Sequence, residues 1–328
     1  MAKTEVVTNQ IKLAPLFNPE EGKAVVSPLG NETGYWAGAP TVLFDEKDET
    51  FYLYYRLRNP RGHGENERGF EVRIASSKDG ENFTDVWSLH KKQLNSSSIE
   101  RSSLVKVKDD LYRLYISYVD PADNRWRIDV VEAETPATFD VDKRQKVLTA
   151  SELEGVEGVK DPYIVKHDDL YYMYFVYAQG LKGAEDKGMH RTGDVHNTGL
   201  AVAPTGLAVS SDGVNFEWSQ TVLPVSEAGW DQYQSRVTTI IPFEGTYTVL
   251  WDGSVGVEQN YEEKVALAVT ADLKTFAKIN VDGPVLETSL KKAVRYVDAI
   301  IHEGQIWYYY EYTRADGAHE LRLCKVGL

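Results

Sequence analysis

The chain has 328 residues, with 36 Lys+Arg against 50 Asp+Glu and a formal net charge of −14. That acidic balance argues against nucleic acid or an anionic membrane as a partner, since both need a basic footprint. A single cysteine, Cys324, excludes an intramolecular disulfide framework and a zinc site built on several thiolates. No run approaches the roughly 18 apolar residues of a membrane span, and Met1 to Pro15 lacks an apolar leader, so a cytoplasmic location is expected.

Aromatics dominate, with 20 Tyr, 10 Phe and 7 Trp against 3 Met. They fall in short runs with Val and Ile, divided by Asp, Gly, Asn and Pro, which is strand and turn punctuation. A strand, a tight turn and an aromatic strand recur in chain order over 41–56, 103–118, 163–177, 238–252 and 299–312. The matching aromatics Tyr52, Tyr112, Tyr171, Tyr247 and Trp307 are 60, 59, 76 and 60 residues apart. A third strand follows each unit, over 70–77, 126–133, 205–211, 263–270 and 319–326, and a fourth leads into the next unit. Four strands per unit, five times over, predict an all-β fold: one domain over 1–328, a five-bladed β-propeller. The fifth unit lacks a fourth strand, and Gln10–Phe17 is expected to supply it, so that the ring is closed by an N-terminal strand and leaves no bare edge there.

In such a unit the start of the first strand and the loop between second and third strands share one face. The first-to-second turns on the other face are short, whereas the second-to-third loops vary, reaching 180–204 in the third unit. Variable loops on a rigid scaffold carry sites. The residues expected to converge there are Trp36, Glu100, Arg101, Lys160, Asp161, Arg236, Arg295, Tyr296 and Asp298 from the strand starts. Arg56, Arg58, Tyr118, Tyr177, Trp251, Asp252 and Glu311 come from the ends of the second strands, and Asp231 and His190 are further candidates. An acidic, arginine-bearing, aromatic-walled pocket suits a small carbohydrate, and two carboxylates there would cleave a glycosidic bond by acid and base assistance.

The run Val159-Lys160-Asp161-Pro162-Tyr163-Ile164, followed by Asp168 to Tyr174, resembles the Asp-Pro plus aromatic-strand segment of five-bladed propeller glycosidases of families 43, 32 and 130. Tyr55-Arg56, Arg73 to Ser77 and Asp79 to Phe83 are similar to the first blade of family 130. The resemblance implies hydrolysis or phosphorolysis of a glycosidic bond, usually with inversion. It makes Asp161 the proton donor or the carboxylate that tunes the donor. The chain departs from family 43 in having no carboxylate in Trp36 to Pro40, and from family 130 in having Lys160 before its Asp-Pro.

The lead acid–base pair is therefore Asp161 and Glu100, with Asp298 supporting. Trp36, Arg56, Arg58, Arg101, Tyr118, Lys160, Tyr177, His190, Arg236, Trp251 and Tyr296 are expected to bind substrate. Each has a plainer reading: Asp161 as a turn-maker before Pro162, Glu100 as a partner of Arg101, the tyrosines and tryptophans as core. A metal set from His190, Asp194 and His196 lacks a recognisable spacing, and neither a cofactor motif nor a calcium loop stands out. A glycoside phosphorylase using inorganic phosphate and a sugar-binding propeller without catalysis are the rival functions.

Overall fold

The computed structural model describes residues 11–184, 188–279 and 282–328. Within them the chain is all-β: strands and short 3-10 turns, with no α-helix and none long and apolar enough to cross a membrane. In chain order, β1 (Lys23–Val26) precedes a first unit of β2 (Trp36–Asp45), β3 (Thr50–Asn59), β4 (Arg68–Ser77) and β5 (Thr84–His90). The second unit holds β6 (Ser103–Lys108), β7 (Leu111–Val119), β8 (Trp126–Ala133) and β9 (Gln145–Thr149). The third holds β10 (Val156–His167), β11 (Leu170–Gly180), β12 (Ala201–Val202), β13 (Thr205–Ser210) and β14 (Glu217–Leu223). The fourth holds β15 (Gln234–Phe243), β16 (Thr246–Ser254), β17 (Lys264–Thr270) and β18 (Ala277–Lys278). The fifth holds β19 (Val294–His302), β20 (Gln305–Thr313) and β21 (His319–Gly327).

Each unit is an antiparallel meander. Its first-to-second turns are two- or four-residue links such as Glu244-Gly245 and Glu303-Gly304, where both residues take positive φ. The strand beside β21 is β1, with Lys23 opposite Leu323. The expected outer strand at Gln10–Phe17 is not one: Gln10 lies outside the described residues, and 11–17 forms no strand. Pro15 has no N–H to give a ladder, and the segment instead buries Ala14 and Phe17 between the fourth and fifth units.

Apolar cores lie between neighbouring sheets, because each strand faces a different neighbour on its two sides. The first and second units share Tyr54, Val72, Leu104 and Leu114, and the second and third share Val130, Met173 and Phe175. Tyr174, Leu207, Val249 and Trp251 join the third and fourth. Leu250 and Leu267 meet Tyr308 and Tyr310 between the fourth and fifth. Leu53 and Phe51 of the first unit pack on Trp307 and Leu321 of the fifth, and a parallel bridge joins Trp36 to His319.

Four of the five innermost strands share one irregularity that matters for the site. Register shifts fall between Gly38 and Thr41, Lys160 and Tyr163, Val237 and Thr239, and Arg295 and Asp298. At three of these bulges a residue other than glycine takes left-handed φ: Ala39 (54°), Asp161 (56°) and Tyr296 (50°). A bulge re-aims the side chains around it, and such strain persists where surrounding structure over-determines it.

Candidate functional site

Charged side chains from all five units meet in one buried cluster, several of them aimed there by the bulges. Arg236 of β15 sits at its centre. It donates to Asp252 Oδ2 at 2.6 Å and lies 3.4 Å from Asp161 Oδ2 and 3.5 Å from Glu263 Oε1. Its guanidinium also lies 3.6 Å from the centre of the Tyr296 ring. Tyr296 in turn donates its hydroxyl to Asp161 Oδ2 at 3.2 Å and its backbone N–H to Asp252 Oδ2 at 2.9 Å. Arg295 pairs with Glu263 and, at 2.7 Å, with Glu311, and Glu311 accepts from His319 Nδ1 at 2.6 Å. Arg56 pairs with Glu100. Gln234 donates to Glu263 at 3.1 Å.

Burial and charge then pull these groups apart in pKa. Burial pushes the Asp252 carboxyl up to about 6 against the opposing pull of Arg236, and does the same to Asp298, also to about 6, against Arg101. Burial would raise Asp161 too, but Lys160, Arg236, Arg56 and Arg101 outweigh it and hold that carboxyl below its ordinary value. Glu311 is likewise buried, yet Arg295 and His319 hold it well below the carboxylate range. Burial lowers the Lys160 ammonium, with Asp161 opposing. Carboxyls driven in opposite directions within one cluster are the raw material of acid–base chemistry.

A small cavity opens on this cluster, lined by Trp36, Arg56, Glu100, Lys160, Glu263 and Tyr296 among others. Its volume is about 10 Å³, room for about one water. Two loops roof it. Arg68 of β4 donates to Thr192 O at 3.0 Å and Gly193 O at 3.1 Å, drawing the third unit's long loop over the axis. The Val195–Asn197 turn then meets the fourth unit's loop, where Asn260 donates to Asn197 Oδ1 at 2.5 Å. Arg58 donates to the Tyr261 hydroxyl at 3.2 Å.

Of the residues expected to converge, Trp36, Arg56, Glu100, Lys160, Arg295 and Tyr296 line the cavity, and Arg58, Asp161, Arg236, Asp252 and Glu311 lie in the cluster beside it. The Trp36 ring is already covered by His319 (4.7 Å, stacked), Arg58 (4.5 Å) and Arg295 (4.7 Å). Asp298 and Arg101 lie outside the cavity lining. Asp298 accepts from the Val42 and Ala299 N–H groups, and Arg101, 3.9 Å away, donates to Pro40 O and Thr238 O, tying first and fourth units.

Four expected ligand-binding residues stand elsewhere. Tyr118 donates to Asp129 at 2.7 Å within the core between units one and two. Tyr177 bonds Thr221 at 2.7 Å beside Trp218. Trp251 stacks on Trp230 at 5.2 Å under the Lys278 ammonium. The cause is strand alternation: on the second strands these positions point sideways into the inter-sheet cores, not along the axis. His190 turns to Glu157 at 2.8 Å, and Asp231 pairs with Lys278 at 2.5 Å. Among the described residues no group of three His, Cys, Asp or Glu side chains is placed to hold a metal, and His190, Asp194 and His196 form no ligand set.

Sequence reasoning missed Glu263, Asn197, Asn260, Tyr261 and His319. Glu263 and His319 open the repeated third strands (263–270 and 319–326) on the same face as the inner-strand starts, so the facing rule reaches them once third strands are included. Asn197, Asn260 and Tyr261 lie in loops and carry no such signal.

No family model and no curated protein sequence matches the chain. Solved structures do. A thermostable family-43 glycoside hydrolase is similar with a TM-score of 0.63 at 14% identity, over 92% of each chain. The beta-1,2-mannobiose phosphorylase from Listeria innocua, in complex with beta-1,2-mannobiose, gives 0.62 at 15% identity, over 92% of this chain and 94% of that one. A member of the family of mannoside phosphorylases numbered 130, which contains glycoside hydrolases targeting beta-1,2 mannosidic linkages in Candida mannan, gives 0.62 at 14% identity, over 93% and 92%. What the chain shares with them is the fold, that of the propeller glycoside hydrolases of families 43 and 130.

Proposed function

We propose that the chain is a single-domain, five-bladed β-propeller closed by β1, and that it is a glycoside hydrolase acting on a small oligosaccharide or glycoside. The five shared cores, including the one between fifth and first units, support the closed ring. The observation that carries the function is that Glu100 of the second unit and Glu263 of the fourth line one arginine-flanked cavity. In this reading one of the two delivers a proton to the glycosidic oxygen as the bond from the anomeric carbon breaks. The other takes a proton from water, whose oxygen forms the new bond from the opposite side, so the configuration inverts. Asp161 does not line the cavity. Its link through the Tyr296 hydroxyl makes it a positioning carboxylate rather than the donor. A sugar needs far more than the room of one water, so the roof formed by Asn197 and Tyr261 lifts to admit it. Related solved structures carry oligosaccharides, beta-1,2-mannobiose in one and xylotriose in another.

The test is a panel of aryl glycosides and disaccharides assayed on the parent, Glu100→Gln and Glu263→Gln, with product anomers followed by proton NMR. Loss of at least about a hundredfold in kcat from each variant is expected. Full activity in both variants removes the pair from the mechanism, and no turnover by the parent leaves a sugar-binding propeller without catalysis.

A second reading, phosphorolysis, is favoured by Lys160. Its buried ammonium has no hydrogen-bond acceptor among the described residues, its closest carboxylate being Asp161 at 3.9 Å, and Arg56 Nε is also unpartnered. Both line the cavity, and phosphate would satisfy both. A sugar 1-phosphate formed only with added inorganic phosphate selects this reading.

A further inference from the structure

A second concavity lies away from the axial one. A groove of about 500 Å³ lies where the connection 152–156, leading from the second unit into β10, passes Tyr177, Gln179 and Gly180 of β11 and Trp218 of β14. The sequence builds its floor. Gly206 has no side chain, and a Cβ there would meet the Trp218 ring at 2.5 Å, so the indole occupies that space. Trp218 meets the Tyr177 ring edge-on, at 5.5 Å and 89°, and stays 39% exposed. An aromatic face left open beside a concavity offers a stacking surface to a ligand. Around this platform stand exposed Gln179 and Glu154, together with Glu152.

We propose that this groove binds a neutral saccharide chain, an inference that rests on the carbohydrate reading of the axial cavity. Three observations favour that occupant. A flat aromatic with an amide and carboxylates beside it offers an apolar face for a sugar ring and acceptors for its hydroxyls. The acidic side chains of the groove, on a chain of net charge −14, disfavour an anionic ligand. The groove also opens on the face that carries the axial cluster: Val156 at its edge is four residues before Lys160 on β10, roughly 13 Å along the strand. A longer saccharide held at Trp218 would have its end directed toward the funnel.

The experiment is calorimetric titration of neutral xylo-, manno- and arabino-oligosaccharides, from di- to pentasaccharide, into the parent, Trp218→Ala and Gln179→Ala, with disaccharide turnover measured alongside. Affinity for the longest member is expected to fall about tenfold in Trp218→Ala and less in Gln179→Ala, while disaccharide kcat/KM is unchanged in both. Unchanged long-chain affinity in Trp218→Ala overturns the proposal and leaves the hydrolase reading intact, as does a parent whose affinity does not rise with chain length. A parent that neither binds nor turns over any member overturns both. Light scattering guards against the other occupant: a parent dimer that Trp218→Ala dissociates makes the groove a self-association surface and overturns the saccharide assignment. Gln179 is exposed, so its variant keeps the question open to measurement even if Trp218→Ala fails to fold.

Discussion

The Asn197 side-chain amide donates to the Tyr261 hydroxyl at 2.8 Å and so ties the third unit's long loop to the fourth unit's loop above the axial cavity. A neutral hydrogen bond of this kind contributes about 0.5–1.5 kcal/mol. Removing it with Asn197→Ala should speed backbone hydrogen exchange in residues 192–198 and 257–262 by roughly two- to tenfold, with the strands below unchanged. Equal exchange in parent and variant would show that the two loops are held independently of this contact.

Arg236 is shared by Asp161, Asp252 and Glu263, all buried. Replacing it with Met keeps much of the volume but strands three carboxyls without their common cation. Loss of one partner from a buried ion pair costs about 3–5 kcal/mol, and urea denaturation of Arg236→Met should read a loss of that size. A loss below about 1 kcal/mol would mean that Arg295 and Tyr296 suffice to hold the cluster.

Asp298 has a folded-state pKa near 6 against an ordinary 3.8, raised by burial. Between those values the folded chain holds a proton that the unfolded chain has released, so this group's contribution falls as pH rises from about 4 to about 6. Two pKa units correspond to about 3 kcal/mol. Asp298→Asn removes the titration, so the parent should lose up to about that much relative to the variant across this window, each compared with its own stability at pH 4. Parallel stability–pH curves would place Asp298 at an ordinary pKa. Asp161 and Glu311 act in the opposite sense: their lowered values contribute stability above the ordinary carboxylate pKa that fades as pH falls.

Phe17 stacks on Tyr308 and lies tilted against Tyr310, each at 4.6 Å, in the core between the fourth and fifth units. Phe17→Ala should destabilise by about 3–5 kcal/mol, measured by chemical denaturation. An effect under 1 kcal/mol would show that the segment around it rests on the fourth and fifth units without helping to hold them together.

The repeat was legible because its turns need particular residues. Glu-Gly and Asp-Asp pairs at positive φ punctuate the sheets, and Ser77-Lys78-Asp79-Gly80 and Ser210-Ser211-Asp212-Gly213 build the same side-chain-capped turn twice, with Asp79 and Asp212 each accepting from backbone N–H groups two and three residues on. The segment beside β21 was misplaced because Leu13-Ala14-Pro15-Leu16 has the apolar look of a strand, whereas the pairing stretch, Lys23–Val26, is short and partly exposed. At the site, residues heading inner strands were readable, since the bulges deliver Asp161 and Tyr296 to the axis. Tyr118, Tyr177 and Trp251 were not, because direction along a strand alternates and a bulge elsewhere resets the count. The roof was invisible: Asn197 and Tyr261 meet across 64 residues of chain through loops without periodicity.

The pairing of Lys23 with Leu323 sets the first strand of the described residues beside their last. That ladder joins stretches separated by nearly all of the intervening chain, so its loop-closure cost is high and it is expected to form late in folding.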